Sequence, residues 1–390
     1  MMVESRKIAV FTSARSEYGS FRGMLEAIEQ HPGLELCLFV SGTHLAEQDG
    51  YTISEIEDDG FEVTARIPMF DGDRSSEGYA RALGREWLGL VDAVSEHRPD
   101  IILINGDRGE LLPVASVALT LGIPVAHIAG GEITEGAIDD SVRHAVSKLS
   151  HLHFVTNDLH ARRLCQLGEE SWRIVISGEP ALDSISKMTL LTKSELEESL
   201  EIKLNDPIVL VTYHPETLGE AGLAELEATL EAMVSVDATY VITYPNADPG
   251  SEPILERLKR FAGENEQAML VSSLGQVRYY SMLACCAAML GNSSSGLWEA
   301  PTFRLPVVNL GGRQAGRLRA GNVIDISDVS AQAVRRGLEQ AISQEFNKSL
   351  ECLANPYGNG HAVDKIISVL ESVPLDIRLL RKKFVNTCDE

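Results

Sequence analysis

Short runs of Val, Ile and Leu without polar alternation recur along this chain, and helical patterns separate them. The first set is KIAVFTS (7–13), LELCLFVSG (34–42), DIILING (100–106), IPVAHIAG (123–130) and HLHFVT (151–156). A strand exposed on one face alternates apolar and polar residues, whereas a strand that is apolar throughout is buried on both faces. Amphipathic stretches at 17–30, 77–97, 109–121 and 139–149 are predicted helices. Strands alternating with helices imply right-handed βαβ units and a parallel sheet. The pattern weakens over 183–206 and restarts with PIVLVTYHP (207–215), ATYVITYP (238–245) and AMLVSS (268–273). Helices are predicted there at 221–234, 253–263 and 276–289, followed by GNSSSG and LPVVNLGG. The expected fold class is α/β, with two doubly wound Rossmann-like domains at 1–185 and 186–360. A last helix near 361–373, in the segment 361–390, is expected to pack back on the first domain. Doubly wound domains take ligands at the carboxyl ends of their strands, so the active site is expected there and in the interdomain cleft.

Composition narrows the function classes. The 390 residues are 44% hydrophobic and 23% charged, which suits two globular cores. A net charge of −23 argues against non-specific nucleic-acid binding and against an anionic membrane surface. The N-terminal apolar run is too short for a signal sequence, and no run approaches the roughly 18–20 residues of a membrane span. Six cysteines (Cys37, Cys165, Cys285, Cys286, Cys352, Cys388) lack metal or disulfide spacing and are expected as reduced thiols in the cytoplasm. There is no P-loop, no dinucleotide fingerprint and no HExxH, so neither a cofactor nor a catalytic metal is expected.

The predicted strand ends carry charged or small polar clusters. TSARSEYG brings Arg15 and Glu17, SGTHL brings His44, and GDRGE brings Asp107, Arg108 and Glu110. HIAGGEITEGAIDDSVRH brings His127, Glu132, Asp139, Asp140, Arg143 and His144. VTYHPET brings His214 and Glu216, GNSSSGLWE brings Ser293, Ser294, Ser295 and Glu299, and NLGGRQAGR brings Arg313, Gln314 and Arg317. Taken singly, each suits a plain structural role. Asp139 and Asp140 open a helix, where acids are ordinary first-turn residues. His127, His151 and His153 sit in apolar strands and suit core packing. Structural roles taken one at a time do not account for the recurrence at nearly every strand end.

GNSSSG followed by an apolar turn suits an anion: Gly291 frees the backbone, and the serines open a helix with outward hydroxyls. Glu299 is placed for a ribose diol, and Arg313 and Arg317 for phosphate. The first domain supplies carboxylates: Asp107, Glu132 and Asp139 come from adjacent strand ends and are expected to converge on one sugar. Clustered carboxylates push each other's proton affinities apart, which suits acid–base chemistry. Arg15 and Arg108 would stabilise a departing phosphate. Gly130 and Gly131 are expected to let the chain approach the sugar, with Glu132 facing it.

TSARSEYG, GDR, HIAGGE…IDDSVRH, HPET, GNSSSG.WE and GGRQ.GR, in this order over about residues 7–370, resemble the hydrolysing UDP-N-acetylglucosamine 2-epimerases of sialic-acid biosynthesis. The resemblance implies two domains of the glycosyltransferase-B type. It implies conversion of UDP-GlcNAc and water to ManNAc and UDP, through anti elimination of UDP to a 2-acetamidoglucal and then hydration. Asp107, Glu132 and Asp139 match the family's catalytic acids, and His214 its histidine near the leaving phosphate. Ser294, Glu299, Arg317, Arg15 and Arg108 match nucleotide-binding positions, and His44, Ser293, Ser295 and Arg313 are taken with them. Some members act instead on UDP- or GDP-linked N,N′-diacetylbacillosamine on the way to legionaminic acid. A glycosyltransferase of the same fold is the nearest rival, and a non-enzymatic nucleotide-sugar sensor a weaker one. The resemblance implies a homodimer or homotetramer.

Overall fold

The computed structural model describes residues 5–49, 51–73, 75–134, 138–215, 222–245, 251–272 and 274–386. The chain forms two compact units, Met1–Ser186 with Tyr357–Glu390, and Lys187–Pro356.

Among the described residues the first unit holds seven strands: β1 (Arg6–Thr12), β2 (Leu34–Val40), β3 (Val63–Arg66), β4 (Ile101–Asn105), β5 (Val125–Ile128), β6 (Leu152–Val155) and β7 (Ile174–Ile176). They pair in the order β3-β2-β1-β4-β5-β6-β7, and every pairing is parallel. Ile8, Val10, Ile101 and Leu103 face one apolar layer, and Ala9, Phe11, Ile102 and Ile104 face another. Helices on both faces therefore bury these strands completely, which is why they are apolar throughout. The helix Ala362–Ser372 joins the first layer through Val363, Ile366, Ile367 and Leu370, beside Phe21, Leu25 and Ile28 of the helix Arg15–Glu29. Asp183 fixes its start, accepting from the backbone N–H groups of Ala362 and Val363 at 3.0 and 2.7 Å.

The second unit holds β8 (Ile208–Thr212), β9 (Thr239–Thr243), β10 (Ala268–Val271), β11 (Ala288–Gly291), β12 (Val307–Leu310) and β13 (Val323–Ile326). Their order is β10-β9-β8-β11-β12-β13, again all parallel. In each sheet the winding reverses once, between β1 and β4 and between β8 and β11. A crevice opens beyond the carboxyl ends at such a point, and ligands bind there.

Three local expectations are corrected. The helix expected at 276–289 ends at Cys285, and Ala288–Gly291 is a central strand between β8 and β12. A short buried apolar run has no period of its own, and pairing with two neighbours decides its conformation. The thin stretch 183–206 contains the helices Ala181–Lys187 and Lys193–Leu200. The second starts at Thr192, whose hydroxyl and Glu195 form a reciprocal capping box. The edge strands β3, β7 and β13 add to the expected set; they are short and only partly buried, so their sequences lack a continuous apolar run. Among the described residues no helix is long and apolar enough to cross a membrane.

Candidate active site

In the first unit the acids gather at the reversal point. After β1 the chain turns into the helix Arg15–Glu29, and Glu17 reaches back over the turn. Its Oε2 accepts from the Ser13 and Ala14 N–H groups at 2.7 and 3.2 Å and from the Ser13 hydroxyl at 2.9 Å. Burial pushes the Glu17 carboxyl up to about 7, although these hydrogen bonds and the Arg108 charge pull the other way. After β4, Arg108 donates to the fully buried Glu110 at 3.0 Å and lies 3.9 Å from Glu17. Tyr79 also donates to Glu110, at 3.0 Å. Arg108 is thus held in place from two sides, with its charge already shared between carboxylates.

Asp107, next to Arg108, pairs with Arg143 from the helix Ile138–Leu149, and Arg143 also donates to the Thr134 hydroxyl at 3.0 Å. Asp139 opens that helix. Burial first, and the neighbouring Asp107 charge second, hold its carboxyl above the usual range, while Arg108 and Arg143 oppose the shift. Asp107 and Asp139 therefore stand close enough for their charges to interact, with Asp107 paired to the Arg143 guanidinium. Asp140 takes a separate task and accepts from the Thr134 N–H at 2.7 Å.

Glu132 follows Gly130 and Gly131 and is buried. A Cβ on Gly131, whose φ is +76°, would lie 2.4 Å from the carbonyl oxygen of His160, and one on Gly130 would lie 3.0 Å from the Ser147 hydroxyl. Gly131 thus lies against the helix Asp158–Gln166, and Gly130 against the helix Ile138–Leu149. Glu132 Oε1 lies 3.7 Å from His160 Nδ1. Burial lowers the His160 pKa to about 4, helped by the charges of Arg163 and Arg143, so the ring is neutral beside Glu132.

Two predicted groups stand apart. His44 is a core residue, with its ring nitrogens 3.1 and 2.8 Å from the Thr12 and Thr52 hydroxyls and no exposed surface. This corrects its assignment to nucleotide binding. Arg15 is exposed at the start of its helix and pairs with Glu55 at 3.0 Å.

In the second unit the reversal point carries the polar loop. Gly291, with a φ of +142°, ends β11, and a Cβ there would lie 1.9 Å from the Thr212 carbonyl oxygen on β8. Only glycine permits this approach. It lets Asn292 clamp His214: the His214 N–H donates to Asn292 Oδ1 and Asn292 Nδ2 donates to the His214 carbonyl, both at 2.8 Å. Glu216, in the same predicted motif, lies outside the described residues. Arg313 and Gln314 both donate to the Asn292 carbonyl, at 3.1 and 2.8 Å, which ties the GGRQAGR loop to the GNSSSG loop. Gln314 also accepts from Arg317 at 3.0 Å, and the Arg317 guanidinium lies over the Trp298 ring at 5.3 Å.

The serines do not all turn outward. Ser293 and Ser294 are half-buried, but the Ser295 hydroxyl is buried and accepts from Tyr279 at 2.6 Å. The helix they open, Ser295–Trp298, is a single turn, so it offers N–H donors with little macrodipole behind them. Glu299 follows. Burial raises its pKa, a Ser295 hydrogen bond opposes the rise, and its Oε2 is buried without a partner among the described residues. A buried oxygen with open lone pairs suits a ligand hydroxyl.

Sequence reasoning did not assign roles to Glu17, Glu110, Tyr79, Arg143, His160 or Tyr279. Only Arg143 carried a usable signal: it lies three and four residues after Asp140 and Asp139, on the same helix face.

The chain resembles known proteins over its whole length. It is 38% identical to the GDP/UDP-N,N′-diacetylbacillosamine 2-epimerase (hydrolyzing) of Campylobacter jejuni, covering 98% of this chain and 100% of that one. It is 34% identical to the UDP-N,N′-diacetylbacillosamine 2-epimerase (hydrolyzing) of Legionella pneumophila, covering 97% and 98%. The UDP-N-acetylglucosamine 2-epimerase from Rickettsia bellii has the same fold, with a TM-score of 0.75 at 18% identity over 95% and 97% of the two chains. Two doubly wound sheets in one chain are the glycosyltransferase-B type of fold expected from the sequence. The model of the UDP-N-acetylglucosamine 2-epimerase family matches residues 26–371, and this chain belongs to that family.

Proposed function

We propose that this protein is a hydrolysing 2-epimerase that converts a UDP- or GDP-linked N,N′-diacetylbacillosamine and water to the free 2-epimeric sugar and the nucleoside diphosphate. The observation that carries the substrate is the pair of full-length relatives named for that activity, at 38% and 34% identity. UDP-GlcNAc, which the sequence alone puts first, becomes the second substrate to test.

The groups in hand support the chemistry. The C2–H bond is weakly acidic, so cleavage of the C1–O bond runs ahead and its electrons leave with the nucleoside diphosphate. A carboxylate takes the C2 proton and a glycal forms. Water then adds, with oxygen to C1 and a proton to C2 from the opposite face. Asp139, raised and beside Asp107, is assigned the proton exchange at C2. Asp107 and Glu132 are the further acids for water activation and ring charge. Arg108, His214, Arg313 and Arg317 are assigned to the phosphates, Ser293 and Ser294 donate to them, and Glu299 takes ribose hydroxyls. Arg15 is kept as a phosphate contact on the sequence match alone, and Ser295 supports Glu299 without touching ligand. The reading includes a cytoplasmic location with no nucleic-acid or membrane partner, supported by unbridged Cys37, Cys165, Cys285, Cys286 and Cys352 and by the net charge of −23.

Comparing kcat/KM for UDP- and GDP-linked diacetylbacillosamine and UDP-GlcNAc, by release of nucleoside diphosphate without any acceptor, tests this. One diacetylbacillosamine donor is expected to exceed UDP-GlcNAc by at least about tenfold, the scale set by one well-recognised substituent. Preference for UDP-GlcNAc would restore the simpler substrate. Release of no free sugar from any of the three would favour a transferase.

A further inference from the structure

Behind Arg108 lie three buried acids to which the reaction gives no part: Glu17, Glu86 and Glu110. Glu110 is the committed counter-ion, with Arg108 on one oxygen and Tyr79 on the other. Glu86, on the helix Ser76–His97, is neutral by its hydrogen bonds. The Ser41 oxygen lies 2.7 Å from the Ile67 carbonyl oxygen and 2.6 Å from Glu86 Oε1. One hydroxyl proton cannot serve both, and a carbonyl has none to give, so Glu86 supplies the second. Glu17 is only half committed. Its Oε2 takes three donors from Ser13 and Ala14, whereas Oε1 is buried with no hydrogen-bond partner among the described residues. Arg108 Nε, 3.9 Å away, is equally without one. That gap is too long for a hydrogen bond, so the two meet by charge alone and the Nε–H is left open to an anion.

Two carboxylates, Glu17 and Glu110, thus face one guanidinium. With both ionised the group is one charge negative where a phosphate is to bind; with a proton on Glu17 it is neutral. The other groups packed around it do not supply that change. His44, from Gly42–Leu45, is neutral by burial, and burial with the Glu110 charge keeps the Tyr79 phenol protonated. Asp139, from the helix Ile138–Leu149, feels both Arg108 and Glu110 and adds to the negative side when ionised.

We propose that a nucleoside diphosphate binds together with a proton on Glu17, which makes Glu17 a positioning residue that acts through Arg108. The inference rests on the assignment of Arg108 to the phosphates. A phosphate draws the Arg108 charge to itself. The Glu17 carboxylate then loses its counter-ion inside a buried turn and takes a proton from solvent. The free protein exchanges this proton near pH 7, where burial places the carboxyl. Below that pH the proton is already present, and affinity does not change through it. Above it the proton must be taken up on binding, and affinity falls by up to about tenfold per pH unit.

Isothermal titration of the full chain with UDP and with GDP, from pH 7 to pH 8.5 in buffers of different ionisation enthalpy, tests this. The terminal phosphate of either nucleotide, with a last pKa of about 6, is ionised over that range. The wild type is expected to take up about one proton at pH 8 and to bind about tenfold more weakly at pH 8.5 than at pH 7. Glu17→Gln keeps an acceptor for the Ser13 and Ala14 N–H groups and carries no charge. It is expected to take up no proton and to bind more tightly than the wild type at pH 8.5. A residue that only braced the turn would weaken binding at every pH when replaced. If that variant does not fold, the infrared band of a newly protonated carboxyl, on adding nucleotide to the wild type at pH 8, decides instead. Binding without proton uptake, uptake that survives in Glu17→Gln, or no new carboxyl band would overturn the proposal and leave the nucleotide assignment standing. No binding of either nucleotide at any pH would remove that assignment, and the proposal with it.

Discussion

Substituting asparagine for Asp139 is expected to cut turnover by about a thousandfold while nucleotide affinity moves less than about threefold. The size follows from losing a positioned proton-transfer group, typically worth about 10²–10⁴ in rate. Asparagine keeps the shape and hydrogen-bonding oxygen of the side chain but carries no exchangeable acid proton. Affinity is expected to hold because the groups assigned to the nucleotide are mostly His214, Arg313, Arg317 and Glu299, all in the second unit. Asp107→Asn should show a comparable loss with an added structural cost, since it also unpairs the buried Arg143. Glu132→Gln should fall between them. Single-turnover rates and isothermal titration with UDP or GDP separate the two quantities. Near-normal turnover in all three variants would remove the acids from the chemistry.

Acid is expected to unfold this protein well above the usual carboxylate range. His44, His127, His151 and His160 are each at most 4% exposed. Burial is the largest cause in each case, lowering His44, His151 and His160 to about 4 and His127 to about 3. Geometry agrees: His151 Nδ1 accepts the Val125 N–H at 3.1 Å and so must be unprotonated in the fold. The unfolded chain binds these protons near the ordinary histidine value of 6.5, and the native state does not until about 4. The stability is therefore complete above pH 6.5 and is lost as pH falls towards 4. A shift of that size is worth about 3 kcal/mol per histidine, and four of them rival the ~5–15 kcal/mol that holds a typical domain. Glu17 opposes the trend. Its pKa is raised from 4.5 to about 7, so its contribution is complete below pH 4.5 and is lost as pH rises through 7. Urea midpoints from pH 8 to pH 4 should fall steeply below 6.5, and His44→Gln should remove one proton from the slope. A midpoint flat between pH 7 and pH 5 would contradict the buried neutral rings.

Much of the architecture was legible because β1, β4, β8 and their neighbours are apolar on both faces, a pattern that suits a sheet covered by helices on both sides. What was not legible depended on partners distant in sequence. Ala288–Gly291 is a strand only because β8 and β12 flank it. Gly131 was visible as a close approach, but only the fold shows that His160 is what comes close. Asp107, Arg108, Glu132 and Asp139 could be given roles from strand ends, whereas Glu17 and Glu110, named in the same clusters, had no role until folding enclosed them around Arg108. His44 misled for the opposite reason: a strand-end histidine resembles a ligand contact until two threonines enclose it.

Proton NMR of the reaction run in D₂O with UDP-linked N,N′-diacetylbacillosamine, and no acceptor, tests the central claim most directly. The account predicts free 2-epimeric sugar carrying deuterium at C2, with nucleoside diphosphate appearing in step. Free sugar that keeps its C2 proton and original configuration would show simple hydrolysis, and the elimination–hydration account with its Asp139 proton exchange would be wrong.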